Sequence, residues 1–165
     1  MIDGVSRDGV YKVVAIWEYD KRSVNGAHFV YFGMRLRTTE DPKIRSIVRY
    51  AAQVVAALDV LNGPTHMEVM LCPDGPCLVE VGSRCHGGGA TWLPVVQECI
   101  GYNAMEVTLN AFLRPDRFDA LPAEPILLKQ GCEVFLVATC SGTLKDLVGL
   151  DTIRELPSFR WVTDL

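Results

Sequence analysis

The sequence has no long hydrophobic run, no surplus of positive charge and no Cys-x-x-Cys pair. Each absence excludes a class. A membrane-spanning helix needs about 20 consecutive apolar residues, and none is found here. Sixteen Lys and Arg against 20 Asp and Glu give a net charge of −4, so no basic surface for nucleic acid is expected. Without paired cysteine motifs, zinc or dithiol chemistry has little to rest on. Cys72, Cys77, Cys85 and His86 lie close in sequence, but Cys72 and Cys77 fall on opposite faces in the register derived below. The six cysteines therefore read as free, mostly buried thiols of a reducing compartment. No leader-like segment, internal repeat or low-complexity stretch is found, and a cytoplasmic location is expected.

What is present is ordinary globular material. The 165 residues are 49% hydrophobic and 22% charged, which suits one domain over residues 1–165 with a real core. Val10 to Tyr19 reads as a strand, with Met1 to Ser6 as its hairpin partner across the Asp8-Gly9 turn. Ala27 to Leu36 reads as a further strand after Asn25-Gly26. Asp41-Pro42 starts a long helix, with Ile44, Ile47, Val48, Ala51, Val54, Val55 and Leu58 as its apolar stripe and Gly63-Pro64 as its stop. Two helices follow at Trp92 to Ile100 and Ala104 to Leu113, then a proline-rich loop from Arg114 to Pro125. Glu133 to Cys140 reads as a strand, Leu144 to Leu156 as a helix, and Arg160 to Thr163 as strand-like. This order predicts an α+β fold with a mostly antiparallel sheet and packed helices.

The informative stretch is Thr65 to Gly89. Two apolar runs flank Pro73-Asp74-Gly75, which predicts a hairpin with a three-residue loop closed by a glycine bulge. That loop pairs Cys72 with Pro76, Met70 with Leu78 and Glu68 with Glu80. Met67, Val69, Leu71, Cys77, Val79 and Val81 would then form the core face, and the two carboxylates would face each other on the other. At roughly 5 Å and an effective dielectric of about 20, their repulsion is on the order of 3 kcal/mol. Ordinary cross-strand pairs contribute about 0.2–1 kcal/mol and would not offset it. A shared divalent cation would, and hard oxygen ligands favour Mg²⁺ or Mn²⁺ bound together with substrate phosphates.

The neighbouring residues suit the same chemistry. Arg84 offers a permanent planar cation, while Gly87, Gly88 and Gly89 let backbone approach a ligand closely. Thr91 can cap the helix that follows, whose N-terminus favours anions. His86 is a candidate for proton transfer or substrate binding. Arg35, Arg37, Glu98 and Glu106 read as solvated charges, and His28 and His66 as structural histidines.

Glu68, then twelve positions on Glu80-Val81-Gly82-Ser83-Arg84-Cys85-His86, resembles the metal-binding hairpin of ATP-grasp enzymes. The Glu-Val-x-x-Arg-x-His pattern is similar to formate-dependent glycinamide ribonucleotide transformylase. Lys12 to Tyr19 and Cys77 to Gly82 look more like the L-amino-acid ligase and carnosine-synthase-like branch of carboxylate–amine ligases. The resemblance covers most of the chain but about the C-terminal half of such an enzyme, an ATP-grasp C-terminal subdomain. It implies ATP and Mg²⁺ as cofactors, metal ligation by Glu68 and Glu80, and stabilisation of an acyl-phosphate step by Arg84. Gly82 stands where the family often has an Asn ligand.

The expectation is therefore part of an ATP-dependent carboxylate–amine ligase, joining a small carboxylate to an amine. Its alternatives are an ATP-grasp carboxylase or formyl-transfer enzyme, or a non-catalytic nucleotide-binding module. The opening inside a strand and the lack of phosphate-gripping lysines other than Lys12 and Lys21 before the long helix predict a truncated chain that is inactive alone. An uncovered face around Met70 and Leu78 would favour a homodimer or the missing half.

Overall fold

The computed structural model describes residues 1–162. Its centre is a six-stranded, wholly antiparallel sheet in the order β5-β4-β1-β2-β3-β6. The strands are β1 (Ile2–Arg7), β2 (Val10–Val24), β3 (Ala27–Leu36), β4 (Gly63–Cys72), β5 (Gly75–Gly82) and β6 (Cys132–Val134). The helices are α1 (Pro42–Ala57), α2 (Leu93–Ile100), α3 (Ala104–Leu113), α4 (Pro115–Ala120) and α5 (Leu150–Arg154). The α+β expectation holds. Among the described residues no helix is long and apolar enough to cross a membrane.

The first two turns form as read. Asp8 (φ 49°) with Gly9 (φ 80°), and Asn25 (φ 50°) with Gly26 (φ 78°), put two successive residues in the left-handed region. That geometry matches strand twist and makes two-residue hairpins. Arg7 accordingly pairs with Val10, and Val24 with Ala27.

Strand alternation then sorts the core. Ile2, Val13, Ile16 and Met67 face α1, where Val48, Ala51 and Val55 of the predicted stripe are buried. Asp41 caps that helix by accepting from the Lys43 N–H at 2.9 Å, with Pro42 at the first helical position. The helix stops at Ala57, before the expected Gly63-Pro64. Those two residues begin β4 instead, and Leu58 is left 54% exposed. The other sheet face packs Ala15, Trp17, Met34 and Leu36 against α2, and Val5 and Val14 against α3 and α4.

One buried charge organises that second face. Lys12 extends from β2 to the end of α4, donating to the carbonyls of Phe118 (2.7 Å), Asp119 (2.9 Å) and Leu121 (2.6 Å). They lie at a helix end, where carbonyls run short of intrahelical partners, and the ammonium gathers them together, although the Phe118 carbonyl also accepts from the Leu121 N–H at 3.1 Å. The expected Arg114-to-Pro125 loop therefore contains a short helix, which no apolar period in so few residues could announce.

The C-terminal part departs most from expectation. The Glu133-to-Cys140 strand contracts to Cys132–Val134, and the Leu144-to-Leu156 helix to Leu150–Arg154. Gly149, left-handed at φ 94°, sets the start of the helix. Residues 135–149 are largely exposed, with Leu136, Leu144 and Val148 finding no core to drive regular structure. Arg160 to Val162 form no strand, and Thr163 lies outside the described residues. The cysteine expectation also needs correction: all six are free, but only Cys99 is buried, and Cys77, Cys132 and Cys140 are exposed.

Candidate functional site

The central hairpin reaches its expected pairing by an unexpected route. Cys72 pairs with Gly75, so the loop is Pro73-Asp74 alone, not the three residues expected. In the outer half Leu71 faces Pro76, Met70 faces Cys77 and Val69 faces Leu78. The register then shifts, leaving Val79 as an extra residue, and Glu68 lies opposite Glu80. The bulge restores the parity that the shorter loop removed.

Its physical reward is visible on the core face. Leu78, not Cys77 or Val79, turns towards α1 and packs with Met67, Val69 and Val81, while Val79 is 56% exposed. The Leu78 N–H donates to the Tyr50 hydroxyl at 3.2 Å, a side-chain partner on α1. Leu78 therefore leaves the carboxylate face, and Leu71 and Cys77 are exposed, contrary to the expected core assignment. The uncovered patch on this hairpin comprises Met70, Leu71 and Val79 instead of Met70 and Leu78.

The carboxylate face opens into a cleft of about 380 Å³. Its lining brings together Glu68, Glu80, Arg84, His86, Gly87 and Gly88, the residues singled out from sequence. Thr91 also lies there but does not cap α2; its hydroxyl donates back to the Gly88 carbonyl at 3.3 Å, and Trp92 holds the cap position. A short 3₁₀ turn, Gly88–Ala90, separates the glycine loop from α2 and takes the place of a direct helix start.

Glu68 and Glu80 differ in their surroundings. Glu68 is partly buried and paired with the Lys21 ammonium at 3.2 Å. Lys21 also lies over the rings of Tyr19 (4.8 Å) and Tyr31 (4.6 Å). Burial works against the Lys21 charge, but Tyr31 and Glu68 outweigh it and hold its pKa above the ordinary lysine value. Burial and the Glu68 charge push the Tyr19 hydroxyl upward. Glu80 is exposed and, among the described residues, has no ion pair. A cation thus already sits against half of the carboxylate pair. Two opposed carboxylates with one oxygen set open to the cleft suit a hard divalent ion, so the residues fit Mg²⁺ or Mn²⁺.

Arg84 is exposed and, among the described residues, forms no ion pair; its guanidinium donates to the Cys85 carbonyl at 3.0 Å. The chain passes close to its own arginine here. A Cβ at Gly82 would lie 3.3 Å from Arg84 Cγ and Nε, a tight contact that the arginine side chain would have to ease.

Behind the cleft lies a buried group that the sequence reading missed. Asp3 on β1 is 1% exposed. It accepts from His66 Nδ1 at 2.7 Å and from the Trp17 indole at 3.0 Å, while His86 Nδ1 lies 3.5 Å from Oδ2. Burial pushes the Asp3 pKa up, but the two histidines outweigh it, and the carboxyl stays below its usual range. His86 is stacked between His66 (centroids 4.5 Å apart, 20° between planes) and Trp92 (4.8 Å, 7°). Trp92 in turn donates to the Gly87 carbonyl at 2.7 Å, tying the glycine loop to the stack. The signal for Asp3 was a lone charge inside Met1-Ile2-Asp3-Gly4-Val5, an otherwise apolar strand.

The remaining charged candidates take structural roles. Arg35 and Arg37 pair with Glu18, Arg37 also with Asp41, and Glu98 with Lys129. Glu106 sits in the first turn of α3, and His28 contacts the Ser23 hydroxyl. A larger cavity of about 830 Å³ lies beyond β6, between α2 and the C-terminal segment. It is mainly apolar and contains neither member of the carboxylate pair, so the cleft with Glu68 and Glu80 is the candidate site.

No family model matches the chain. Dapdiamide A synthase of Enterobacter agglomerans is 30% identical over 118 residues, which is 72% of this chain and 27% of that protein. The solved L-amino acid ligase of Bacillus licheniformis matches with TM-score 0.74 and 26% identity, over 94% of this chain and 39% of that one. A putative ATP-grasp superfamily protein of Archaeoglobus fulgidus gives TM-score 0.48 at 19% identity, over 66% of this chain and 34% of that one, too partial a likeness to carry weight. The chain spans between about a quarter and two-fifths of the length of the two stronger matches.

Proposed function

We propose that this chain, which resembles the ATP-grasp carboxylate–amine ligases in fold and sequence, supplies the metal-facing side of a site that joins a small carboxylate to an amine at the expense of ATP. One observation carries the reading: Glu68 and Glu80 oppose each other on the wall of a cleft that also holds Arg84, which has no ion pair among the described residues. Opposed carboxylates destabilise a strand pair unless a cation shares them, and a guanidinium beside them suits a transferring phosphoryl group.

In this reading Glu68 and Glu80 hold Mg²⁺ or Mn²⁺, which supplies charge neutralisation to the nucleotide phosphates when bound. Arg84 faces the phosphoryl group on its way to the substrate carboxylate, where an acyl phosphate forms. Gly87 and Gly88 leave room for that ligand to approach backbone. Lys12 cannot contribute, because its ammonium is engaged by three carbonyls. Lys21, paired with Glu68, stands at the edge of the cleft. Phosphoryl transfer depends on positioning and charge stabilisation from all sides. The chain by itself therefore binds metal–nucleotide without turning over.

Calorimetric titration with Mn²⁺ tests the reading. Glu80→Gln should weaken binding at least about tenfold, or about 1.4 kcal/mol, and stabilise the metal-free protein slightly by removing repulsion. Equal affinity in both proteins would show that the pair does not hold the ion.

A further inference from the structure

The Asp3–His66–His86 cluster is absorbed by none of the roles above. Its three ligand atoms lie within 4.8 Å of one another, which invites a metal reading. The ring geometry argues against it. Imidazole lone pairs lie in the ring planes, and two planes only 20° from parallel, with centroids 4.5 Å apart, do not converge on one ion beside both nitrogens. The 2.7 Å separation between His66 Nδ1 and Asp3 Oδ1 is that of a hydrogen bond.

The arrangement does constrain protons. Asp3 is ionised and accepts from the His66 ring and the Trp17 indole. His86 Nδ1 is buried, has no hydrogen-bond partner and lies 3.5 Å from Asp3 Oδ2. A bare lone pair there would face a carboxylate oxygen at close range in a poorly solvated site, which is repulsive. A proton on Nδ1 makes the same contact attractive. The ring is 8% exposed and cannot turn freely between His66 and Trp92, yet it lines the cleft beside Glu68, Glu80 and Arg84. With Nδ1 carrying the proton, the unprotonated nitrogen of a neutral ring is Nε2.

We propose that Asp3 and His86 form a carboxylate–imidazole pair whose Nε2 accepts the proton of the incoming ammonium nucleophile. This rests on the ligase reading. An amine arrives at neutral pH mostly as ammonium and has no lone pair to attack with. Transfer of one proton from nitrogen to His86 Nε2 frees that pair, which forms the C–N bond at the acyl carbon. The C–O bond to phosphate breaks and its electrons leave with the phosphate, which takes up the second proton that the nitrogen sheds as the amide forms. Imidazole is the side chain most often used for such transfers, and Asp3 acts as the positioning residue that selects the tautomer.

Two measurements test this without requiring turnover. Long-range ¹⁵N–¹H spectra of histidine-labelled protein report which ring nitrogen carries the proton. His86 should show Nδ1–H with a bare Nε2, and Asp3→Asn should lose that preference. Diethyl pyrocarbonate acylates unprotonated, accessible imidazole nitrogens and can be followed by peptide mass spectrometry, with exposed His28 as the internal standard. His86 should react in the wild type and at least about fivefold more slowly in Asp3→Asn, while His28 is unchanged. An Nε2–H tautomer in the wild type, or an unreactive His86 beside a reactive His28, overturns the proposal. If Mg²⁺ with an ATP analogue fails to shield a reactive, Asp3-dependent His86, the ligase reading fails at this cleft and the pair stands as a proton acceptor for another reaction.

Discussion

Two buried charges sit on the same face of the sheet, one residue type on each side of neutrality. Lys12 is closed off: three carbonyls take its three protons, and the Phe118 ring lies beneath it at 4.9 Å. Asp3 is not. Two donors satisfy it, while a third nitrogen lies nearby without a hydrogen bond, on a ring that reaches the cleft. A fully satisfied buried charge holds elements together. A buried charge with one incomplete neighbour holds something in readiness. The contrast separates the α4 corner, which ties elements together, from the cleft, to which we assign binding and chemistry.

The largest effect should come from the corner. Lys12→Met removes the ammonium from three helix-end carbonyls, of which, among the described residues, only Phe118 keeps a backbone donor, the Leu121 N–H, and the loss should be about 3 kcal/mol in urea denaturation. Mn²⁺ affinity of the folded protein should not change. A loss of metal binding without a loss of stability would erase the distinction between the two regions.

The cleft should respond in the opposite manner. Lys21 stands against Glu68 where a divalent ion would compete for the same oxygen. Lys21→Met should therefore raise Mn²⁺ affinity by about three- to tenfold, read by calorimetry. Both partners are partly exposed, so the stability change should stay within about 1 kcal/mol. Unchanged affinity would mean that the ammonium and the ion do not share Glu68.

The smallest effect sharpens the role of Asp3. Its folded pKa is depressed, so it contributes stability that is present above its unfolded value, near 3.9. That contribution is lost as pH falls through the lower folded value. Stability measured from pH 6 downward should therefore fall less steeply in Asp3→Asn than in the wild type below about pH 4. Parallel curves would show that the histidines do not hold the carboxylate ionised.

Much of this molecule is legible in one dimension. Two hairpin turns, the Asp41-Pro42 helix start and the span of α3 follow from local chemistry: left-handed turn residues, a cap, and apolar spacing. The cleft residues Glu68, Glu80, Arg84, His86, Gly87 and Gly88 are contiguous with one hairpin, so reading that hairpin found them together. The helix expected over Leu144 to Leu156 forms only from Leu150 to Arg154, because apolar period alone does not make a helix where no core receives its face. The Lys12 corner was not legible, since a lysine in a strand carries no mark of the carbonyls it will meet over 100 positions later.

The sequence by itself determined that two carboxylates share a hairpin with an arginine and a glycine loop, because those relations are short in chain distance. Tertiary structure decided how they come to face each other. The loop took two residues instead of three, and the Val79 bulge returned Glu80 to register because Leu78 then packs beneath α1 and donates to Tyr50. It also decided that Asp3, 63 positions from His66, would meet both histidines. Strand order brings β1 beside β4, and only that adjacency turns an isolated acidic residue in an apolar strand into the partner of the cleft.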